Sequence, residues 1–117
     1  MSHNSFALLF STALLLNLSA CNQCSPLKDT TFANDGAALL KKSNCMGCHK
    51  MEGKLVGPGF ADVAKKYKGD AGAAAKLETK VSKGGAGVWG TMPMPAMNNV
   101  KAEDVKTMVA YILSTAK

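Results

Sequence analysis

Five consecutive residues in the first half of the chain, Cys45-Met46-Gly47-Cys48-His49, constrain its fold more than any other feature. They form a C-x-x-C-H pattern, which is typical of covalent haem c attachment. Two thiols three positions apart on a helical turn can reach the two vinyl groups on one edge of a porphyrin. The following imidazole then lies under the iron. The sequence therefore predicts one haem c, bound covalently through Cys45 and Cys48, with His49 as an iron ligand.

Two other kinds of site use paired cysteines, and the sequence favours neither. A thioredoxin-like redox site needs a βαβ context, and we find no strand signal. A zinc site needs further ligands. The remaining cysteines, Cys21 and Cys24, lie in a polar segment near the N-terminus, and His3 is the only other histidine. Cys21 and Cys24 also have C-x-x-C spacing, but Ser25 follows them where a haem site would need a histidine. The sequence therefore predicts a single haem.

The size and composition of the chain also favour a cofactor. A chain of 117 residues is long enough for one small domain. Its aromatic content of 6% is low for a core that holds itself together. Small domains bury little of their surface and often need a metal or another covalent constraint. The sequence has no run near 18 consecutive apolar residues, which excludes a conventional membrane-spanning helix.

The N-terminal residues have the features of an export signal. An almost wholly apolar stretch over residues 6–16 is followed by small residues, as in a secretory signal. Residues 18–21 resemble a bacterial lipobox, in which the cysteine becomes the lipidated first residue. We therefore predict a signal peptide over residues 1–20 and a periplasmic protein anchored to the membrane through Cys21. The alternative is ordinary cleavage after residue 20, which would leave Cys21 unmodified.

The remaining sequence predicts an all-α domain. We expect residues 21–33 to be a polar tether, or alternatively an extension that packs on the domain, and residues 34–117 to form the domain. Apolar periodicity and capping residues predict about four short helices. We place them at residues 34–44, where Asn34 or Asp35 can cap the helix, and at residues 60–67, 71–83 and 102–115. Residues 87–99 have no apolar period and predict a loop rich in Pro, Met and Gly.

The methionines supply the candidates for the second iron ligand, because no other histidine follows the predicted signal. Some have another explanation, since they flank the attachment motif or lie in the apolar stripe of the last helix: Met46, Met51 and Met108. The others lie in the aperiodic loop: Met92, Met94 and Met97. A thioether ligand to iron explains methionines in such a loop. Pro93 and Pro95 restrict the backbone on both sides of Met94, which favours Met94.

The order of these motifs resembles the short bacterial monohaem class I cytochromes c, the group labelled c-551 or c-552. The resemblance rests on the C-x-x-C-H motif, Val-Gly-Pro at residues 56–58 and Gly-Val-Trp-Gly-x-x-Pro-Met-Pro at residues 87–95. An amphipathic final helix completes the pattern, and the match covers about residues 34–117. It implies a class I cytochrome c fold, in which about four short helices wrap around one covalently attached haem.

The resemblance also implies roles for individual residues. His49 and Met94 would be the two iron ligands, and the carbonyl of Pro58 would accept a hydrogen bond from the outer nitrogen of His49. Trp89 and Lys80 would donate hydrogen bonds to a haem propionate. Lys80 stands where the family usually has Arg, and core packing is the alternative role for Trp89.

The function that these features imply is electron transfer rather than catalysis. We expect a monomeric carrier that docks at the haem edge with a nitrite reductase, a terminal oxidase or another cytochrome. The formal charge of +6 predicts steering toward an acidic partner; an exported chain meets no nucleic acid. The alternatives are a gas sensor or peroxidase-like enzyme with a displaceable Met, and a lipoprotein without haem whose C-x-x-C is structural.

Overall fold

The computed structural model describes residues 30–116, which form four helices and a short β-hairpin. The helices are α1 (Thr30–Lys42), α2 (Phe60–Lys66), α3 (Ala73–Lys83) and α4 (Ala102–Ser114), and the strands are β1 (Gly85–Gly87) and β2 (Gly90–Met94). The predicted signal, the lipobox, Cys21 and most of the tether lie outside the described residues.

Helix α4 forms the centre of the core, because α1, α2 and α3 all pack against it. Four of the five residues in its predicted apolar stripe, Val105, Met108, Val109 and Ile112, are each at most 6% exposed, and the fifth, Leu113, is half-buried. The four buried positions follow the i, i+3, i+4, i+7 spacing of one helix face. Phe60 from α2 completes the same core cluster.

Helices α1 and α4 cross at a glycine. A Cβ built at Gly36 would overlap the Cβ of Tyr111 and lie 2.8 Å from its Cγ. The absence of a side chain at position 36 therefore allows the two helices to approach closely. Helix α1 begins at Thr30, which is earlier than the predicted capping residues Asn34 and Asp35.

The start of α3 is held by the side chain of Asp70. Its Oδ1 accepts a hydrogen bond of 2.8 Å from the backbone N–H of Gly72, and its Oδ2 lies 2.6 Å from Nζ of Lys76. The hydrogen bond from Lys76 lowers the pKa of the Asp70 carboxyl below its usual value. The bond from Gly72 back to the Asp70 side chain two residues earlier forms an Asx-type turn directly before the helix.

The hairpin corrects the prediction that residues 87–99 form a loop without strands. β1 and β2 are antiparallel, with Gly85 opposite Met94 and Gly87 opposite Gly90. The register shifts between these two pairs, so the ladder is irregular. The sequence does not indicate these strands, because most of the hairpin is solvent-exposed and has no alternating apolar pattern. The strands are paired through backbone groups. Within residues 30–116, no helix is long and apolar enough to cross a membrane.

Candidate functional site

The two cysteines of the motif lie on a short 3-10 turn, Cys45–Gly47, and the residue that follows it. Asn44 enters this turn with φ of 56°, a left-handed conformation that Asn tolerates better than most residues. Cys45 is buried in the core cluster and Cys48 is exposed, and neither forms a disulfide within residues 30–116. Burial raises the pKa of the Cys45 thiol. The turn thus presents two free thiols, one at the core and one at the surface.

The imidazole of His49 is oriented by a backbone carbonyl. Nδ1 lies 2.8 Å from the carbonyl oxygen of Pro58, so a proton on Nδ1 is donated to that oxygen. This hydrogen bond leaves Nε2 with its lone pair free, as a metal ligand requires. A hydrogen bond on the outer nitrogen fixes the ring orientation and strengthens the imidazole as a donor.

Phe60 and Gly57 confine the same ring. Phe60 stacks on His49 with ring centroids 5.2 Å apart and an interplanar angle of 17°. A Cβ built at Gly57 would lie 2.8 Å from Nδ1 and 2.9 Å from Nε2 of His49, closer than real Cβ atoms approach such atoms. Position 57 must therefore be glycine for the ring to lie where it does.

Backbone hydrogen bonds join α2 to the attachment segment. The N–H of Phe60 donates to the carbonyl of Lys50 over 2.9 Å, and the N–H of Ala61 donates to that of Met51 over 2.9 Å. The N–H of Gly57 donates to the carbonyl of Cys48 over 2.8 Å. The first turn of α2 and the loop before it are thus fixed to the residues on either side of His49.

Met94 lies at the end of β2, opposite Gly85, and is half-buried. A Cβ built at Gly84, which has φ of 70°, would overlap the carbonyl oxygen of Met94 and lie 2.8 Å from the backbone nitrogen of Ala96. Beyond it, the N–H of Met97 donates to the carbonyl of Val81 over 3.0 Å. The backbone around Met94 is therefore held against the C-terminal end of α3.

The other methionines have different surroundings. Met108 is 1% exposed and belongs to the core, as the sequence predicts. Met46 and Met51 are partly buried against the core cluster. Met92 is 68% exposed and Met97 is half-buried.

Trp89 and Lys80 lie at the hairpin. Trp89 is 41% exposed, which argues against simple core packing. Lys66 Nζ lies 5.3 Å from the centroid of its ring, a distance suited to a cation–π contact. Lys80 Nζ lies 3.2 Å from the position of a Cβ built at Gly85.

The sequence did not predict the Lys66–Trp89 contact or the stacking of Phe60 on His49. In each pair the two residues lie on different elements, so no spacing along the chain indicates that they meet.

The residues present fit a covalently attached haem. The donor set comprises two free thiols and an imidazole whose Nε2 carries no hydrogen bond partner among the described residues. Large apolar side chains on the loop before α2 and on the hairpin are 41–68% exposed: Leu55, Val56, Val88, Trp89 and Met92. Exposed apolar surface of this kind commonly marks a ligand or partner site.

Comparisons with known proteins agree with this fit. Residues 33–116 match the sequence profile of the family described as cytochrome c. Cytochrome c-552 of Hydrogenobacter thermophilus is 49% identical over 88 residues, which cover 75% of this chain and 87% of that protein. Cytochrome c-551 of Pseudomonas aeruginosa is 40% identical over 88 residues, covering 75% and 84%. The crystal structure of Nitrosomonas europaea cytochrome c552 superposes with a TM-score of 0.66 at 44% identity, covering 68% of this chain and 98% of that one.

The confinement of His49 predicts the effect of Gly57→Ala. The added methyl overlaps the imidazole, so we expect the free energy of unfolding of the haem-loaded protein to fall by about 1–3 kcal/mol. We also expect the Nδ1 proton of His49 to exchange faster with solvent in NMR. Gly72→Ala is the matched control, since its Cβ would meet only the side-chain ends of Asp70 and Lys76, at 3.3–3.7 Å rather than in overlap. Equal effects of the two substitutions would contradict this role of Gly57.

Proposed function

Because the chain belongs to the cytochrome c family, we propose that it carries single electrons through an iron held between His49 and Met94. The family, the class I cytochrome c fold and one haem c bound through Cys45 and Cys48 agree with the sequence predictions and are confirmed. Electron transfer by a haem c protein is confirmed with them, since the relatives are cytochromes c-551 and c-552. The ligand pair, the haem-binding contacts, the docking surface and the lipid anchor are our proposals.

The hydrogen bond between His49 Nδ1 and the Pro58 carbonyl is the observation that carries the proposal. When bound, the haem supplies an iron that gains or loses one electron. The chain orients His49 so that Nε2 is available to that iron, and the half-buried Met94 offers a thioether from a backbone-held strand end. Two protein ligands leave no position for a substrate, which favours a carrier over an enzyme.

The hairpin and α3 supply the proposed contacts to a haem propionate. The indole N–H of Trp89 is a donor, and Lys66 lies over its ring. Lys80 brings a cationic donor to the same hairpin, beside Gly85. Lys is a flexible point charge rather than a planar fork. We propose that Lys80 attracts the propionate through its charge, and that Trp89 donates a directional hydrogen bond to it.

A closed iron predicts that the reduced wild-type protein does not bind carbon monoxide at neutral pH. The thioether must leave before carbon monoxide can bind, and the backbone around Met94 is held in place. Absorption spectroscopy after addition of carbon monoxide checks this, and the same protein in denaturant, where the strand is released, is the positive control. Rapid binding by the native protein would support the gas sensor or peroxidase-like alternative.

Redox proteins are the partners of a cytochrome c, and we propose that this one docks with a nitrite reductase, a terminal oxidase or another cytochrome. Exposed lysines surround the attachment segment and α2: Lys41, Lys42, Lys50, Lys54, Lys65 and Lys66. Lys83 is exposed and Lys80 half-buried at the end of α3. Together with the formal charge of +6, this supports an acidic docking surface on the partner.

Electrostatic docking predicts that electron exchange with an acidic redox partner slows as salt rises. Going from about 0.01 M to about 0.15 M ionic strength shortens the screening length from about 30 Å to about 8 Å. We expect the second-order rate constant to fall by about tenfold, measured by stopped flow. An uncharged small-molecule reductant is the control and should react at an unchanged rate. A rate with the acidic partner that is flat across this range would remove the steering role of the lysines.

We propose that the protein is periplasmic and attached to the membrane through lipid on Cys21. The support is the apolar segment and lipobox-like residues 18–21, together with relatives that are bacterial c-type cytochromes. Lipid chains hold a protein stably at a membrane when two signals act together, as in dual acylation.

Mass spectrometry of the mature protein tests the anchor. We expect a chain that begins at Cys21 and carries the mass of one haem and of lipid. Cys21→Ser should lack the lipid mass and leave the membrane fraction, while it retains its haem. A wild-type mass equal to residues 21–117 plus haem alone would show ordinary cleavage instead.

A further inference from the structure

Met92 is a methionine of the hairpin to which the proposed function gives no role. It lies two residues before Met94 on β2 and is 68% exposed. Met92 and Met94 each carry a thioether that can bind iron.

The register of the hairpin relates these two methionines. The turn end pairs Gly87 with Gly90, whereas the open end pairs Gly85 with Met94. Extending the first pairing without a shift would place Met92, not Met94, opposite Gly85. Residues directly opposite each other in an antiparallel pair lie on the same face. In that regular register, Met92 would therefore take the place relative to β1 that Met94 now has.

The sequence of the hairpin makes both registers accessible. Pro93 lies between the two methionines and has no N–H to donate, and it falls within the stretch of β2 over which the register shifts. On β1, Gly85 and Gly87 have φ of 112° and 110°, and only Ala86 has a side chain. Glycine-rich strands specify register weakly, because no side-chain packing changes when they slip.

We propose that Met92 is a second thioether ligand for the iron, which the regular register of the hairpin brings to the position of Met94. The proposal rests on ligation by Met94 in the proposed function. When the sulfur of Met94 is absent, a bond from iron to the sulfur of Met92 would form in place of the bond to Met94. Both sulfurs are neutral electron-pair donors, so no proton or electron moves.

Two contacts keep Met94 as the ligand in the intact chain. Gly84 packs closely against the Met94 carbonyl and the nitrogen of Ala96, and the N–H of Met97 donates to the carbonyl of Val81. A slip of the strand disrupts the first contact and strains the second. Met92 therefore binds only when the sulfur of Met94 is lost.

Met97 provides a matched control. It is also a methionine near the hairpin, but it lies beyond β2 and its backbone is bonded to the C-terminal part of α3. The register argument does not apply to it. Replacing Met97 should therefore have no effect on ligation by Met92.

The test compares haem-loaded Met94→Ala with two double variants, Met94→Ala with Met92→Leu and Met94→Ala with Met97→Leu. The measurements are the sulfur-to-iron charge-transfer band of the oxidised protein and the haem-shifted methionine methyl resonance of the reduced protein. We expect both signals in Met94→Ala and in the variant that also lacks Met97. Adding Met92→Leu should reduce the fraction of protein with a thioether on iron by about tenfold, because that fraction depends on how strongly the thioether binds iron relative to the unligated state.

Met94→Leu preserves side-chain volume and repeats the series in case alanine at 94 prevents folding. Loss of the thioether signals in both single variants would overturn the proposal, as would signals that survive Met92→Leu but disappear with Met97→Leu. The wild-type protein separates this outcome from failure of the proposed function. If wild type itself lacks thioether signals, ligation by Met94 is wrong; if wild type has them and the single variants lose them, only the role of Met92 is wrong.

Discussion

The hydrogen bond between the outer nitrogen of His49 and the carbonyl of Pro58 determines what this site can do. It selects the tautomer and the orientation of the imidazole, and much of the surrounding structure maintains it. Position 57 has no side chain to displace the ring, and Phe60 stacks on its face. The first N–H groups of α2 donate to Lys50 and Met51, so a helix terminus that would otherwise need solvent fixes the loop carrying Pro58.

Helix α2 also links the two halves of the site. Phe60 at its first residue contacts His49, and Lys66 at its last residue lies over Trp89 on the hairpin. The buried face of α2 packs on α4, which also holds α1 and α3. The rigid part of the molecule thus positions the histidine. The proposed sulfur ligand is carried by a glycine-rich ribbon whose backbone is fixed to the end of α3 at its open end, and this difference underlies the proposed second register.

The sequence predicted the features that depend on local spacing. The C-x-x-C-H motif, the buried stripe from Val105 to Ile112 and the four helices are all periodic or contiguous patterns. The hairpin was missed because its pairing is made by backbone groups of glycines and exposed residues. The Lys66–Trp89 contact and the reason for glycine at position 57 depend on tertiary approach, which no spacing along the chain reveals. Helix α1 begins at Thr30, so Asn34 and Asp35 lie inside the helix and do not cap it. Residues with good capping propensity therefore do not by themselves fix a helix boundary.

The central claim is that iron is held between residues 49 and 94. The most direct measurement is NMR of the reduced, haem-loaded wild-type protein with its methionine methyl groups labelled. The account predicts one dominant haem-shifted methyl resonance, assigned to Met94, that persists unchanged in the single substitutions Met92→Leu and Met97→Leu. A dominant shifted resonance that belongs to another methionine, or the absence of any such resonance, would contradict it.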